Sequence, residues 1–365
     1  TWNPKIPGQR PDPYGEKPLF SITAQNAAQY ADKLDGMIEV FKRYPEFRMD
    51  IYPSHRDWTF PQYALNNTLN NATASEAVEK QLKLQGCYGG LPFPIPKTRN
   101  QTMWNHLLSY QTWNLVGKAE SWLVPISGDP VLIERGNFIN NYPYYDPAKT
   151  EPHSADALYF RFRGADEAPA RLVGGQMMFH DAVNQLETSR KAWVYMPGRR
   201  WTKLAAELAY DTTNPYAGNT ATMDDTSVFQ GALDRYDFKL VGKKEKYIYY
   251  DNFDLGNSST CPREKLTATK HFPNPDCIRW ELHRVYKVEA TLKSGARHLY
   301  PKRVFFLDED GFAAGQGENY DDAGKLYRLS NVVSYPFFEA PGGVATPDIF
   351  MDLHTGAWSA AGIVM

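Results

Sequence analysis

The sequence predicts a mainly β protein of the α+β class: a large, strongly bent antiparallel sheet preceded by short helices, in one domain spanning 1–365. Three observations predict it. From about Trp113 onward, runs such as Arg279–Leu292, Lys302–Leu307 and Lys325–Phe338 alternate with period two. They are rich in Val, Tyr and Phe and are separated by Gly/Asp turns, the signature of paired strands. Three- and four-residue apolar spacing, by contrast, falls in the first third of the chain. Gly315 and Gly317 face large side chains across the C-terminal strands, which lets a sheet bend sharply.

Taken in order, residues 1–20 carry Pro4, Pro7, Pro11, Pro13 and Pro18, which forbid regular helix and leave an extended arm. Residues 21–112 form a helical and loop cover. Thr23 caps a helix whose Tyr30, Leu34, Met37, Val40 and Phe41 recur on one face. Ala74–Lys83 and Gln101–Leu108 predict two further short helices. Between them, Pro92, Pro94 and Pro96 alternate with Leu91, Phe93 and Ile95, so Gly86–Pro96 is an extended apolar loop. Residues 113–365 form an antiparallel meander of ten or more strands.

The C-terminal strands carry a register prediction. Asp310-Gly311 as a two-residue hairpin turn pairs Arg303 with Glu318. The flanking turns then allow Glu289 opposite Arg303 and Glu318 opposite Arg328. The result is an alternating charge row on a solvated face, each facing pair contributing about 0.2–1 kcal/mol. On the other face Tyr286 lies by Phe306, and Val288, Val304, Gly317 and Leu329 make the next layer. Arg284 comes near Asp308 there, as an edge ion pair or the polar end of a cavity.

Composition excludes several function classes. With 365 residues, a formal net charge of −2, 14% aromatic and 22% charged residues, the chain is neither a disordered polymer nor a basic nucleic-acid binder. No run of about 18 apolar residues occurs, so no helix spans a bilayer. The nine Trp and 23 Tyr are notable, being apolar bodies with one polar tip. Cys261 and Cys277 flank a polar loop and are either a disulfide worth roughly 3 kcal/mol or two unpaired thiols. A disulfide would fit an oxidising compartment. The start at Thr1-Trp2-Asn3 is the expectation for an exported chain without its targeting segment.

Familiar catalytic signatures are absent: no H-E-x-x-H, G-x-S-x-G or S-x-x-K, no P-loop, and no metal-ligand spacing. His180-Asp181 and Asp224-Asp225 could serve acid–base chemistry only if the fold gathered them, although neighbours in a strand point to opposite faces. His283 alternates with Glu281 and Lys287 and reads as a surface residue. The expectation is no catalytic residue, no metal and no cofactor.

At 189–201, SRKAWVYMPGRRW places Trp193 and Tyr195 on one strand face before a Pro197-Gly198 turn. This resembles the W-x-Y-x-P-x-x-R hairpin of the LolA/LolB lipoprotein-localisation superfamily. The blocks KPLFSITAQNAAQY, GGLPFPIPKTRNQTMWNHL, DRYDFKLVGKKE, ELHRVYKVEATL and HLYPKRVFFLDED resemble domain-of-unknown-function family 1329, outer-membrane lipoprotein-sorting-like proteins of Proteobacteria. The resemblance implies a half-barrel sheet around an apolar cavity, with the short N-terminal helices packed against its concave face. It also implies a periplasmic location and no established catalytic residue; Cys261 and Cys277 depart from the family's usual loop.

Trp193, Tyr195, Tyr286, Val288, Val304 and Phe306 are the candidates for the cavity wall, the alternative being packed core. The function expected is non-catalytic periplasmic carriage of a hydrophobic ligand, such as a lipid or lipoprotein acyl chain, by a monomer without nucleic-acid partners. The alternatives are an adaptor docking an outer-membrane barrel or transporter, and a periplasmic hydrolase built on His180 or His153.

Overall fold

The computed structural model describes residues 14–188, 190–205, 208–337 and 340–365. Most of the expected arm, residues 1–13, lies outside them. Strand β1 (Phe20–Thr23) pairs with β2 (Arg48–Tyr52). Between them a 3₁₀ turn leads into α1 (Ala31–Leu34) and α2 (Met37–Arg43), which bury Leu34, Met37, Val40 and Phe41 on the expected face. The second helix is displaced. Helix α3 covers Gln62–Ala74, and the segment expected to be helical is a hairpin of β3 (Glu76–Val78) and β4 (Lys83–Gln85). Its turn needs positive φ at Glu79, Lys80 and Gln81, which ends any helix. The Asn-rich α3 is a weak helix former, so tertiary bonds decide. Buried Asn71 donates to the Tyr88 and Leu91 carbonyls and accepts from the Tyr88 N–H. Helix α4 (Arg99–Leu107) stands where expected, opened by a Thr98/Gln101 capping box.

Two antiparallel meanders follow. The first comprises β5 (Asn114–Val124), β6 (Val131–Asn141), β7 (Leu158–Ala168), β8 (Gln176–Ala182), β9 (Lys191–Met196) and β10 (Trp201–Leu204). The second comprises β11 (Tyr236–Tyr249), β12 (Trp280–Leu292), β13 (Lys302–Asp308), β14 (Gly315–Tyr320), β15 (Leu326–Pro336), β16 (Gly343–Asp352) and β17 (Trp358–Val364). Strand β17 pairs with β5 and fuses the two into a 15-stranded sheet that is not closed into a barrel. One correction applies to the antiparallel expectation. The sheet is mixed, because β2 lies parallel to the start of β12, Ile51 opposite Trp280. A strand brought in from the helical segment has no short turn forcing it to run antiparallel.

Curvature shows in the core. Phe160 and Phe179 of β7 and β8 share one cluster with Val288 and Phe305 of β12 and β13, though β8 and β12 are nine places apart in the strand order. A flat sheet would separate them by roughly 40 Å. Met103, Trp104 and Leu108 of the α4 region pack into this same inner cluster. Helices α1 and α2 cover the opposite face, with Ile349, Met351 and Trp358. Cys261 and Cys277, bonded across 16 residues, are buried in that second cluster beside Leu266 and Phe272.

The predicted registers are each off by one. Arg303 faces Asn319, Ala290 faces Arg303 and Asn319 faces Arg328. The β12–β13 register is set at its own turn, where the Leu292 N–H donates to the Pro301 carbonyl, and the β14–β15 register shifts between Asn319 and Tyr320; for Arg303 and Asn319 the cause is the β13–β14 loop. Asp308 N–H donates to the Ala314 carbonyl, closing five residues instead of two. The Asp308 carboxylate holds this wider turn by accepting from the N–H groups of Asp310 and Gly311. A slip of one exchanges the faces, so Tyr286 and Val288 lie opposite Leu307 and Phe305, not beside Phe306 and Val304. Glu318 turns to the α1–α2 side and accepts from the Gly36 N–H at 2.7 Å. Arg284 pairs with Glu309, not Asp308.

The charge row is not solvated either. Arg303 has 0% exposure and Asp224 and Asp225 have 1% each. Arg303 donates to Asp224 Oδ2 at 3.0 Å, to Asp225 Oδ1 at 2.7 Å and to Asn319 Oδ1 at 2.9 Å. His298 Nε2 lies 3.0 Å from Asp224 Oδ2, and Tyr300 donates to Asp225 Oδ2 at 2.8 Å. Burial opposes the charge on Asp224, but Arg303 and His298 outweigh it and hold the carboxyl well below the carboxylate range. These bonds fasten the segment 214–230 onto β13–β15.

Replacing Arg303 by Met strands two buried carboxylates and is expected to cost about 3–5 kcal/mol in urea denaturation. Arg284→Ala, which touches an exposed pair, leaves the midpoint unmoved. Substituting Cys261 and Cys277 together by Ser lowers stability by roughly 3 kcal/mol, read in the same experiment.

Candidate functional site

Four strands make the floor of a cavity of about 210 Å³. Its rows follow from the registers. Leu115, Asn140, Phe162 and Phe179 lie side by side across β5–β8, as do Gly117, Phe138, Gly164 and Met177 in the next row. A Cβ on Gly164 would come 3.0 Å from the Phe162 ring, and one on Gly136 would sit 2.3 Å from the Ala165 carbonyl oxygen. These glycines leave the sheet hollow between aromatic ridges. The opposing wall is the segment 214–230, with Tyr216, Met223 and Phe229, together with the end of α4 at His106. The His106 ring donates from Nδ1 to the Phe312 carbonyl, 2.7 Å away, and burial lowers its pKa.

One border of the cavity is acidic. Asp348 on β16 pairs with Ala361 on β17, and Ser121 on β5 with Glu134 on β6; the two pairs meet where the Gly362 N–H donates to Ser121 Oγ at 3.0 Å, and Asp166 on β7 lies next to Glu134. Burial pushes the Glu134 carboxyl up to about 7, Asp166 to about 6 and Asp348 to about 8. Donors are few: the Ser121 hydroxyl reaches Glu134 at 2.9 Å and the Ser227 N–H reaches Asp348 at 2.9 Å. The site is therefore an apolar hollow with protonatable oxygens along one edge.

None of the six candidate wall residues lines this cavity. Trp193 pairs with Met178 and Tyr195 with Gln176, so their rings point away from the side on which Met177 and Phe179 line the hollow. Tyr286 stacks on Phe312 in a small separate cluster. Val288 is inner core, while Val304 and Phe306 pack on the other face with Val285 and Ile248. The physical reason is period two combined with the β12–β13 register slip, which sets Val304 and Phe306 on the face opposite Tyr286 and Val288. The true floor carried a readable signal: Leu115, Gly117, Ala119 and Ser121 alternate on β5, as Phe160, Phe162, Gly164 and Asp166 do on β7. An alternating stripe that mixes glycine with aromatics marks a face meant to be hollow.

The polar residues singled out earlier have structural partners. Asp181 accepts a two-pronged bond from Arg190 at 2.8 Å, while His180 meets the edge of Trp193. His153 stacks on Tyr144 and is bonded to its carbonyl. Neither histidine is hydrogen-bonded to a carboxylate among the described residues. His283 is a correction. It is buried between Glu281 and Asp308, 3.2 Å from each, because the Val285 face of β12 is covered there, the Tyr250 ring lying 4.1 Å from the imidazole. Burial lowers its pKa, but the two carboxylates prevail and raise it to about 9. His55, Asp251 and Glu281 bring ligand-type atoms within 4.8 Å of one another. Arg279 already supplies the cation there, donating to Glu281 at 2.6 Å and standing 3.1 Å from His55 Nδ1. A metal ion would have to displace it.

Comparisons with known proteins add the following. A family model described as protein of unknown function (DUF1329) matches residues 21–365. The protein PA3922 of Pseudomonas aeruginosa is 35% identical over 358 residues, covering 96% of this chain and 77% of the relative. A crystal structure of a DUF1329 family protein from Desulfovibrio piger is 12% identical with a TM-score of 0.45, covering 69% of this chain and 83% of that one. A LolA superfamily protein from Nitrosomonas europaea is 12% identical with a TM-score of 0.42, covering 73% and 91%.

The raised pKa of Asp348 sets a pH dependence. Its penalty is absent below the unfolded value near 4, grows as the pH rises and is complete above about 8. Asp348→Asn removes the penalty while an amide oxygen can still accept from Ser227. The variant is expected to match the wild type near pH 4 and to exceed it by more than about 1.4 kcal/mol at pH 8 and above. Denaturant titrations across that range check it, and a pH-independent difference would contradict the assignment.

Proposed function

The chain belongs to the DUF1329 family, and from that membership and its cavity we propose a non-catalytic periplasmic carrier or chaperone for one hydrophobic molecule. The observation that carries this reading is the hollow between β5–β8 and the segment 214–230, floored by Phe138, Phe162, Met177 and Phe179. Close-packed interiors leave few voids larger than a water molecule. An apolar cavity of about 150 Å³ is already enough to take up benzene. At about 210 Å³, the hollow suits part of a single acyl chain or a small ring system, not the several chains of a whole lipoprotein anchor. Affinity would come from apolar burial at about 25 cal/mol per Å². Handing the molecule to an outer-membrane barrel or transporter belongs to the same reading.

Solvent extraction of the purified protein followed by mass spectrometry is expected to find a co-purifying lipid-like molecule. After delipidation, the protein is expected to take up a neutral single-chain alcohol near 1:1 in calorimetry. Met177→Trp, which enlarges a floor side chain, should weaken that uptake at least tenfold with the fold retained by circular dichroism. No uptake by the wild type, or equal uptake by the variant, would sink the proposal.

A further inference from the structure

We propose that the cavity selects an amphiphile with a cationic amine head, laid against the Glu134–Asp166 end of an acidic border that continues to Asp348. This rests on the carrier reading above and goes beyond it by naming the head group. The first ground is charge. Three carboxyl groups border the hollow, and neither Lys nor Arg is among its described lining residues. Its histidine, His106, is buried and bound to the Phe312 carbonyl, so it offers no countercharge to an anion.

The second ground is the accounting of hydrogen bonds. A carboxyl group has about four acceptor positions. Among the described residues, the Asp348 side chain accepts from one N–H and the Glu134 side chain from one hydroxyl. No hydrogen bond to the Asp166 side chain accompanies them. Asn140 Oδ1, in the same floor, is buried without a partner. Asp348 is only 6% exposed, so water does not freely make up the deficit. The edge is thus built of acceptors and short of donors. An ammonium brings three donors and a positive charge to it. A carboxylate or phosphate head brings more acceptors and the same sign of charge, and an alcohol brings one donor.

The geometry matches a head and a tail. The carboxyl groups stand on β16, β6 and β7 at one border of the hollow, whereas Leu115, Phe162 and Phe179 lie in an apolar row beyond them. The raised carboxyl pKa values agree with this arrangement: the groups lack a cation, and a bound ammonium would restore their ionised form.

Three probes with one tail separate the outcomes: octylamine, octanol and octanoate, titrated calorimetrically at pH 7.5 into delipidated wild type and into E134Q/D348N. The expected order is amine over alcohol by at least tenfold, with octanoate weakest. In the double variant the amine loses that lead while octanol binding stays within threefold, which also reports an intact cavity. If the double variant loses octanol binding, E134Q and D348N are compared singly by the same criterion. Octanol or octanoate binding as tightly as octylamine overturns the head-group assignment but leaves the carrier reading standing, as does an amine lead that survives the substitutions. Failure of all three to bind removes the carrier reading as well.

Discussion

The cavity depends on one buried ion pair. A guanidinium without exposed surface is stable only where several acceptors replace its water, since desolvating an ion costs several kcal/mol even after relaxation. Arg303 finds them in Asp224, Asp225 and Asn319. Two of those three come from a segment with little regular structure of its own, a pair of short 3₁₀ turns at Pro215–Ala217 and Met223–Asp225. The same segment holds Tyr216, Met223 and Phe229 over the hollow floor. A loose loop laid on an empty space would collapse into it, because apolar surface gains by contact. The directional bonds around Arg303 fix its height above the sheet and so preserve the space.

A second constraint works from below. A sheet bent far enough to gather β7, β8, β12 and β13 around one cluster crowds side chains on its inner face. Gly117, Gly136 and Gly164 relieve that crowding on three neighbouring strands, and Phe138 and Phe162 stand between them. Bend and hollow have one cause. The network also continues beyond the cavity: Arg328 donates to the Tyr300 hydroxyl, to Asp352 and to the Asn219 carbonyl, so β15 and β16 are tied to the covering segment as well.

Much of this was legible from the chain and some was not, for physical reasons. Period-two strands and the α1–α2 apolar face were readable because they depend on near neighbours, whereas Thr23, read as a helix cap, is the last residue of β1. Asp308 shows where local reading stops. Asp310-Gly311 is a two-residue turn by composition, yet a carboxylate two residues earlier captures its N–H groups and widens it to five. One-residue displacements at this and the neighbouring turns put Val304 and Phe306 on the face opposite Tyr286 and Val288, and broke up the charge row, whose Arg303 is buried. Asp224 and Asp225 were visible as acidic neighbours, but their partner lies nearly eighty residues away. No periodicity encodes such a pairing. The alternation of glycine and aromatic residues on β5–β7 was local and readable; it marks the floor more faithfully than the Trp193/Tyr195 hairpin does.

The abundance of Tyr and Trp now has a different explanation from a cavity wall. Long irregular segments separate the strands, and each buries backbone carbonyls that need donors. Tyr145 donates to Leu108, Tyr63 to Tyr145, Tyr236 to Tyr300, Trp58 to Tyr110 and Trp104 to Gln81, all at backbone oxygens. In each case the apolar ring fills the core while its tip satisfies a loop that turns away from regular pairing. Phenylalanine could fill the same volume but would leave the carbonyl stranded. The amphipathic aromatics thus fasten loops to the sheet, and the cavity itself is lined on its floor by Phe, Met and Gly. This division of labour explains why a composition rich in Tyr and Trp located the fold class and not the cavity.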